Sequence, residues 1–435
     1  MAIPLNATHD PSRRSHVAAA NDAGNDFPIQ NLPIGVFRTD GSEARGGIAI
    51  GDRILDLAAA TEGGLFEGSA REAATAASGS DLTALLMLGL EGLSTLRARA
   101  ADLLDEAGGW ETKVARHLVP LSAAVMELPA KVTAFTDMCV STYHIGRRNG
   151  NDEHGQPICP PMFRTIPVGY DGRASSVVVS GTPVRRPNGT WQSAMGKGEP
   201  EFGPEPRLDY ELELAMWVAG PANAQGEPIA MAEAATRIAG FSLLNDWSAR
   251  GIQFWETMLG PFLGKSIATT VSPWIVTAEA LAPFRTHAFD RPPSDPPLPA
   301  HLTDAADQET GGIDLVMEAW LETSSGLPTR MCRTNFRHMY WTPAQMVAHH
   351  VSNGCSLGAG NLIGSGTCSG PQIEAAGCLI ETLSAGPLTL ADGSPHGWLE
   401  DGETVMLRAR AEREGFRSIG FGECRGTVQP ALSWP

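Results

Sequence analysis

Apolar residues recur at helical spacing over positions 82–104, and the run stops short of Gly108-Gly109. That pattern predicts an amphipathic helix with its apolar face on a core. Over 46–57, short apolar runs flank Gly51-Asp52, the signature of a small hairpin. From position 132 onward the texture changes to short apolar runs separated by glycine and proline turns. Strands are expected over 176–179, running into the turn Ser180-Gly181-Thr182-Pro183, and over 209–218 and 313–321. Thr342-Pro343 supplies a helix N-cap and a proline at the first helical position. The helix it opens is expected to reach Asn353 and stop at Gly354. The proline-rich stretch 291–299 reads as a stiff, extended loop. The chain therefore divides into a loosely held polar tail (1–24), a small barrel-like N-terminal domain with helices (25–125) and a long mixed or antiparallel β body (126–435).

Length agrees with that division, because 435 residues exceed what one ordinary core organises. The 48 glycines and 32 prolines favour a mainly β chain with many turns. Charge narrows the partners. Acidic residues outnumber basic ones 49 to 32, and a net charge of −17 argues against a nucleic-acid ligand. An anionic substrate would need a local pocket of Arg, Lys or metal charge. The seven cysteines form no CxxC pair and read as reduced thiols of a cytoplasmic protein. The first 24 residues lack the apolar core of a signal peptide, and apolar runs such as 84–88 are too short to span a bilayer. No membrane partner is expected.

The chemistry concentrates in Asp209-Tyr210-Glu211-Leu212-Glu213-Leu214. On one strand, Asp209, Glu211 and Glu213 would share a face at roughly 6.6 Å intervals. Side chains of that length can converge on one ion, and hard oxygen donors favour Mg²⁺ or Ca²⁺ over zinc. A solvated acidic face accounts for the same spacing equally well. Asp246 follows the apolar run Leu243-Leu244-Asn245, and Asp137 follows Phe135-Thr136; each alone reads as a turn or capping aspartate. Arg164, Arg173, Arg250, Gln253 and Lys265 lie in loop-like segments near these acids and could bind a carboxylate or an oxyanion. His144, seven residues after Asp137, is a candidate general base. His349-His350 fit the C-terminal end of a helix, a structural role. Two motifs mislead. Gly260-Pro261-Phe262-Leu263-Gly264-Lys265-Ser266 is one residue short of a phosphate loop, and Pro261 removes an amide donor. Gly366-Thr367-Cys368-Ser369-Gly370 imitates a nucleophile elbow, but no helical pattern follows it.

An ordered set of motifs goes further. Phe27-Pro28-Ile29-Gln30-Asn31-Leu32-Pro33, Gly172-Arg173-Ala174-Ser175-Ser176, Glu211-Leu212-Glu213 and Asn245-Asp246-Trp247-Ser248-Ala249-Arg250 are followed by Gly260 to Ser266, Tyr340-Trp341-Thr342, Ser365-Gly366-Thr367 and Ile419-Gly420-Phe421-Gly422. In these the chain resembles the fumarylacetoacetase family over nearly its whole length. The resemblance implies a small SH3-like N-terminal domain, a C-terminal mixed β-roll and a homodimer. It implies hydrolysis of a carbon–carbon bond in a 1,3-diketo acid, fumarylacetoacetate giving fumarate and acetoacetate in tyrosine breakdown. By position, Asp137, Glu211, Glu213 and Asp246 would hold the divalent ion, and His144, held by Glu381, would activate water. Arg250, Gln253 and Lys265 would polarise the diketone. Arg164 and Tyr170 would contact the substrate, with Thr367 nearby. Lys265 and Thr269 fall where the family places a second, structural cation. Departures cluster near the substrate: Cys139 and Thr257 stand where tyrosines are expected, Asp171 replaces a histidine, Ala268 replaces a glycine, and the tract 145–163 is long. These changes keep open another diketo acid or acylpyruvate as substrate. A metal-binding relative without activity is the alternative of another class.

Overall fold

Gly51 turns the first hairpin with a φ of 58°, a left-handed conformation that costs a side chain dearly. Across it Arg45–Ile50 and Arg53–Asp56 pair antiparallel, as expected. The computed structural model describes residues 3–194 and 197–434. The helix expected over 82–104 is two helices, Thr83–Met87 and Gly89–Leu104. Gly89, at φ 68°, breaks the helical ladder that apolar spacing alone cannot interrupt.

The N-terminal strand Ile34–Arg38 joins the two halves of the chain. Its partners include Arg45–Ile50 and, through Ile34 and Gly35, the strand Trp274–Thr277. The sheet then continues through Ile238–Asp246, Leu212–Val218 and Asn361–Gly364 to Ala134–Cys139 and Val168–Gly172. The boundary expected at 125 falls at Val125–Glu127, a strand that pairs back onto Ile34–Arg38. Ile34, Val36 and Leu96 share one buried cluster with Trp217, Leu244, Ile275 and Leu362. A second sheet is ordered Thr329–Asn335, Val316–Glu322, Thr404–Ala411, Ile419–Gln429, Val184–Arg185. Along Val316–Glu322 every second residue is buried, and Met317, Ala319 and Leu321 pack into the cluster that holds Leu212, Leu214 and Met216. The fold is mixed but mainly β, as its sequence pattern implies.

Two expectations need correction. Residues 3–24 are not a loose tail: they form 3₁₀ turns at Ala7–His9 and Ala18–Asn21, and Thr8, His9, Ser15 and Val17 are buried. The cause is Arg97, whose side chain is 0% exposed and needs acceptors. It donates to the Thr8 hydroxyl, to the carbonyls of Gln30 and Asn31, and to Glu279. The strand expected over 209–218 is also interrupted. Leu208–Asp209 pairs with Ser248–Ala249, whereas Leu212–Val218 pairs with Ile238–Asp246. Asp209 therefore does not share a ligand face with Glu211 and Glu213. The helix at Thr342 is as expected in kind: it spans Pro343–His350, with Thr342 and Gln345 closing a reciprocal capping box.

Candidate active site

Four carboxylates from three strands of one sheet meet at one point. Asp137 lies on Ala134–Cys139, opposite Gly364 of the parallel strand Asn361–Gly364. Glu213 lies on Leu212–Val218, Glu211 just before it, and Asp246 ends Ile238–Asp246. All four are buried, and one oxygen of each lies within 4.8 Å of the others. Gly364 makes room for this approach, since a Cβ there would come 2.7 Å from Asp137 Oδ1 and 3.0 Å from Glu213 Oε2. Burial and the neighbouring carboxylates push Asp137 and Glu213 well above the usual carboxylate range. Burial also raises Asp246, with Glu211 adding to it against the pull of Lys265. Asp137 Oδ1 and Glu213 Oε1 find no hydrogen-bond partner among the described residues. Buried oxygens without donors, set among like charges, fit a hard divalent cation.

Two cations border the cluster. Lys265 Nζ lies 2.7 Å from both Glu211 Oε2 and Asp246 Oδ2. Arg250 Nη2 lies 2.8 Å from Asp209 and from Glu211 Oε1, and Arg250 Nη1 donates to Gln253 Oε1 at 3.1 Å. Burial raises the Glu211 carboxyl, but Lys265 and Arg250 outweigh it and hold that carboxyl far below its usual value. Thr269 also donates to Asp246, at 3.2 Å, so Lys265 and Thr269 both serve the Asp246 carboxylate. The helix Arg250–Glu256 that carries Arg250 and Gln253 is anchored by Glu205, which is fully buried and accepts the amides of Gly251 and Ile252 at 3.0 and 2.8 Å. Tyr170 donates to Asp137 Oδ2 at 2.8 Å. It lines a cavity of about 320 Å³ with Arg173, Phe262, Lys265 and Asp246, which gives the cluster its opening.

His144 sits against a buried carboxylate. His144 Nδ1 lies 2.6 Å from Glu381 Oε1, and Glu381 is fully buried. Arg147 Nε donates to Glu381 Oε2 at 2.8 Å, and Ser369 donates to Oε1 at 2.7 Å. Burial pushes Glu381 up, but the His144 charge and the bonds from His144, Ser369 and Arg147 hold it below its usual range. Arg147, Ser369 and Glu205 support these side chains without having stood out in the sequence as functional residues. Arg147 alone had a local signal: it lies three residues after His144, on the same helical face.

Not every candidate joins the cluster. Arg164 is paired with Asp295 of the proline-rich loop, at 2.7 and 2.9 Å, and its Nη2 donates to the Pro157 carbonyl. Thr367 is buried with its hydroxyl unpaired among the described residues. Cys368 is no activated nucleophile, because burial pushes its thiol up to about 12. Among the departures, Cys139 is half-buried, Ala268 is buried, and Asp171 and Thr257 are exposed, with Asp171 on the rim of the 320 Å³ cavity.

Residues 30–129 match the family described as fumarylacetoacetase N-terminal, and residues 145–429 the one described as fumarylacetoacetate (FAA) hydrolase C-terminal. Fumarylacetoacetase of Oryza sativa subsp. japonica is 43% identical over 432 residues, covering 96% of this chain and 98% of that protein. The Homo sapiens fumarylacetoacetase is 41% identical, covering 96% and 99%. In fold, the chain is similar to the crystal structure of a probable 2-hydroxyhepta-2,4-diene-1,7-dioate isomerase from Mycobacterium abscessus. That likeness has a TM-score of 0.50 at 16% identity, over 93% of this chain and 100% of the other.

Proposed function

The chain belongs to the fumarylacetoacetate hydrolase family, and from that premise we propose that it hydrolyses a carbon–carbon bond of a 1,3-diketo acid, converting 4-fumarylacetoacetate to fumarate and acetoacetate. The observation that carries the reading is the His144–Glu381 pair, at 2.6 Å, set beside a buried four-carboxylate cluster that has its own lysine. Asp137, Glu211, Glu213 and Asp246 would hold Mg²⁺ or Ca²⁺, which when bound supplies Lewis acidity to the diketone oxygens. Glu381 accepts the Nδ1 proton of His144, which leaves Nε2 free to take a proton from water. The water oxygen adds to one carbonyl carbon and becomes a carboxylate oxygen of fumarate. The carbon–carbon bond then breaks, and its electron pair leaves as the enolate of acetoacetate, which takes a proton on carbon. Lys265 and Arg250 set positive charge where the enolate forms, and Gln253 offers a polar group to its oxygen. Tyr170 lines the approach, Thr367 would offer its buried, unpaired hydroxyl, and Arg164 would meet the substrate only on leaving Asp295.

The family pattern supports a cytoplasmic homodimer acting in tyrosine breakdown. Among the described residues no helix is long and apolar enough to cross a membrane. The deciding experiment is steady-state hydrolysis of fumarylacetoacetate and of simple acylpyruvates, with and without chelator. Metal-dependent release of fumarate and acetoacetate is expected. Turnover confined to acylpyruvates would shift the substrate in the direction that Cys139, Asp171 and Thr257 point. No turnover despite bound Mg²⁺ would leave a metal-binding relative without activity. His144→Ala should keep the ion and lose hydrolysis by about 10²-fold or more.

A further inference from the structure

One cluster beside the carboxylates has donors of a different kind. Cys378 is fully buried, and its Sγ lies 3.3 Å from Glu381 Oε1 and 3.7 Å from His144 Nδ1. We propose that Cys378, His144 and Glu381 form a second metal site, selective for a thiophilic divalent ion such as Zn²⁺, whose filling switches hydrolysis off. The inhibitory consequence rests on the reading of His144 as the base; the site itself does not.

Zinc bonds of about 2.3 Å to sulfur and 2.0–2.2 Å to nitrogen or oxygen place tetrahedral ligands about 3.3–3.6 Å apart. The sulfur–carboxylate distance of 3.3 Å lies at the lower end of that range, and the sulfur–imidazole distance of 3.7 Å exceeds it by only about 0.1 Å. Only the 2.6 Å His144–Glu381 contact must open, by about 0.7 Å. Arg147 holds Glu381 by Oε2, so Oε1 is the oxygen turned toward the thiol and the imidazole. The ion's path is from the His144 side, where that side chain is 15% exposed and Glu381 is 0%. Cysteine and histidine donors set this group apart from the all-oxygen cluster, so a soft ion and a hard one sort between them. Cys355 offers a useful contrast. Its sulfur also meets a histidine, His350 Nδ1 at 3.4 Å, but no third donor completes a group there among the described residues.

Binding releases the thiol proton to solvent, and the imidazole proton moves from Nδ1 to Nε2 as Nδ1 becomes a ligand; nothing is oxidised or reduced. Nε2 then carries a proton and cannot accept one from water. The same event takes Glu381 away from its role of stabilising a charged imidazole.

The test uses the full-length protein saturated with Mg²⁺. Added Co²⁺ should give the near-ultraviolet thiolate-to-cobalt absorption, reversed by Zn²⁺, in the wild type and in Cys139→Ser but not in Cys378→Ser. Zn²⁺ should inhibit fumarylacetoacetate hydrolysis. Outer-shell partners of a metal are worth about 10–100-fold, so loss of the Cys378 ligand should raise the inhibiting Zn²⁺ concentration at least about tenfold. A wild type without the cobalt band overturns the proposal whatever the variants do. So does a band, or a Zn²⁺ sensitivity, unchanged in Cys378→Ser. An enzyme inactive on fumarylacetoacetate would sink the functional reading and leave the cobalt band to decide this site.

Discussion

Asp209→Asn should destabilise the protein by about 3–5 kcal/mol. Asp209 is 0% exposed, and both its oxygens are fully used. Oδ1 accepts the amides of Leu379 at 2.7 Å and Tyr210 at 2.8 Å. Oδ2 accepts Arg250 Nε at 2.8 Å and the amide of Ile380 at 3.1 Å. An asparagine must present its NH₂ to one of these pairs, so two donors face a donor in either orientation. The better orientation keeps an oxygen against Arg250 and loses two bonds at Oδ1. At about 1.5–3 kcal/mol for a bond to a charged group, the loss is about 3–6 kcal/mol. Removing one partner of a buried ion pair gives about 3–5 kcal/mol independently. The two figures describe the same event and do not add. Urea unfolding followed by tryptophan fluorescence at neutral pH reads the effect as a lower midpoint at unchanged slope. A loss below about 1 kcal/mol would refute the reasoning, because it would mean that the donors around Asp209 find other partners. Turnover should fall as well, since Asp209 ties the helix bearing Arg250 to Leu379–Leu383, the helix bearing Glu381.

Three further outcomes follow from the same geometry. Glu213→Gln should lose Mg²⁺ binding in calorimetry, yet in chelator it should melt no lower than the wild type, because it removes one of four mutually repelling buried carboxylates. Thr342→Ala should cost about 1–2 kcal/mol in thermal unfolding, through the N-cap bond to Gln345 and the 2.8 Å bond to Asp307. Burial raises the Asp307 carboxyl from 3.8 to about 6, with the Thr342 hydroxyl opposing. The raised value means that the native state holds this proton more tightly. The stability it confers is complete below the unfolded value of 3.8 and is lost as pH rises through about 6. Asp307→Asn should therefore gain on the wild type by about 1 kcal/mol between about pH 5 and pH 7, and a pH-independent difference would contradict this.

Strand alternation brings out Glu211 and Glu213 because they lie two apart on neighbouring backbone. It misleads at Asp209, because the chain leaves the strand at Tyr210-Glu211 and the Asp209 carboxylate turns to cap amides at Leu379 and Ile380. Asp137, Asp246, His144 and Glu381 carry no such local signal. Parallel pairing of residues 134–137 with 361–364 brings Asp137 to the cluster, and Glu381 reaches His144 from 237 positions along the chain. Sequence position offers His144 as a candidate base and the two aspartates as turn or capping residues, and only the family resemblance gathers all four into one site. Glu205, Ser369 and Cys378 had no signal of either kind, because ordinary residue types acquire a role only when the sheet closes around them. The docked N-terminal segment escaped for a similar reason. Its polar composition looks solvated until Arg97, far along the chain, draws in the Thr8 hydroxyl. The break at Gly89 is legible only as a glycine that tolerates a positive φ, which apolar periodicity does not register.

The strand Ile34–Arg38 and the side chain of Arg97 also set a timetable for synthesis. Arg97 meets Glu279 across 182 residues, and the core around Ile34 and Leu96 closes only with Leu362. At about 5–20 residues per second, a ribosome delivers Glu279 about 10–40 s after Arg97. For that interval the N-terminal sheet waits with part of one edge bare, its guanidinium without its carboxylate and its apolar face without a lid. The first hundred residues therefore complete their contacts only after the later strands have emerged. Mutations that slow elongation between positions 97 and 362 should lower soluble yield even where they leave the finished protein unchanged.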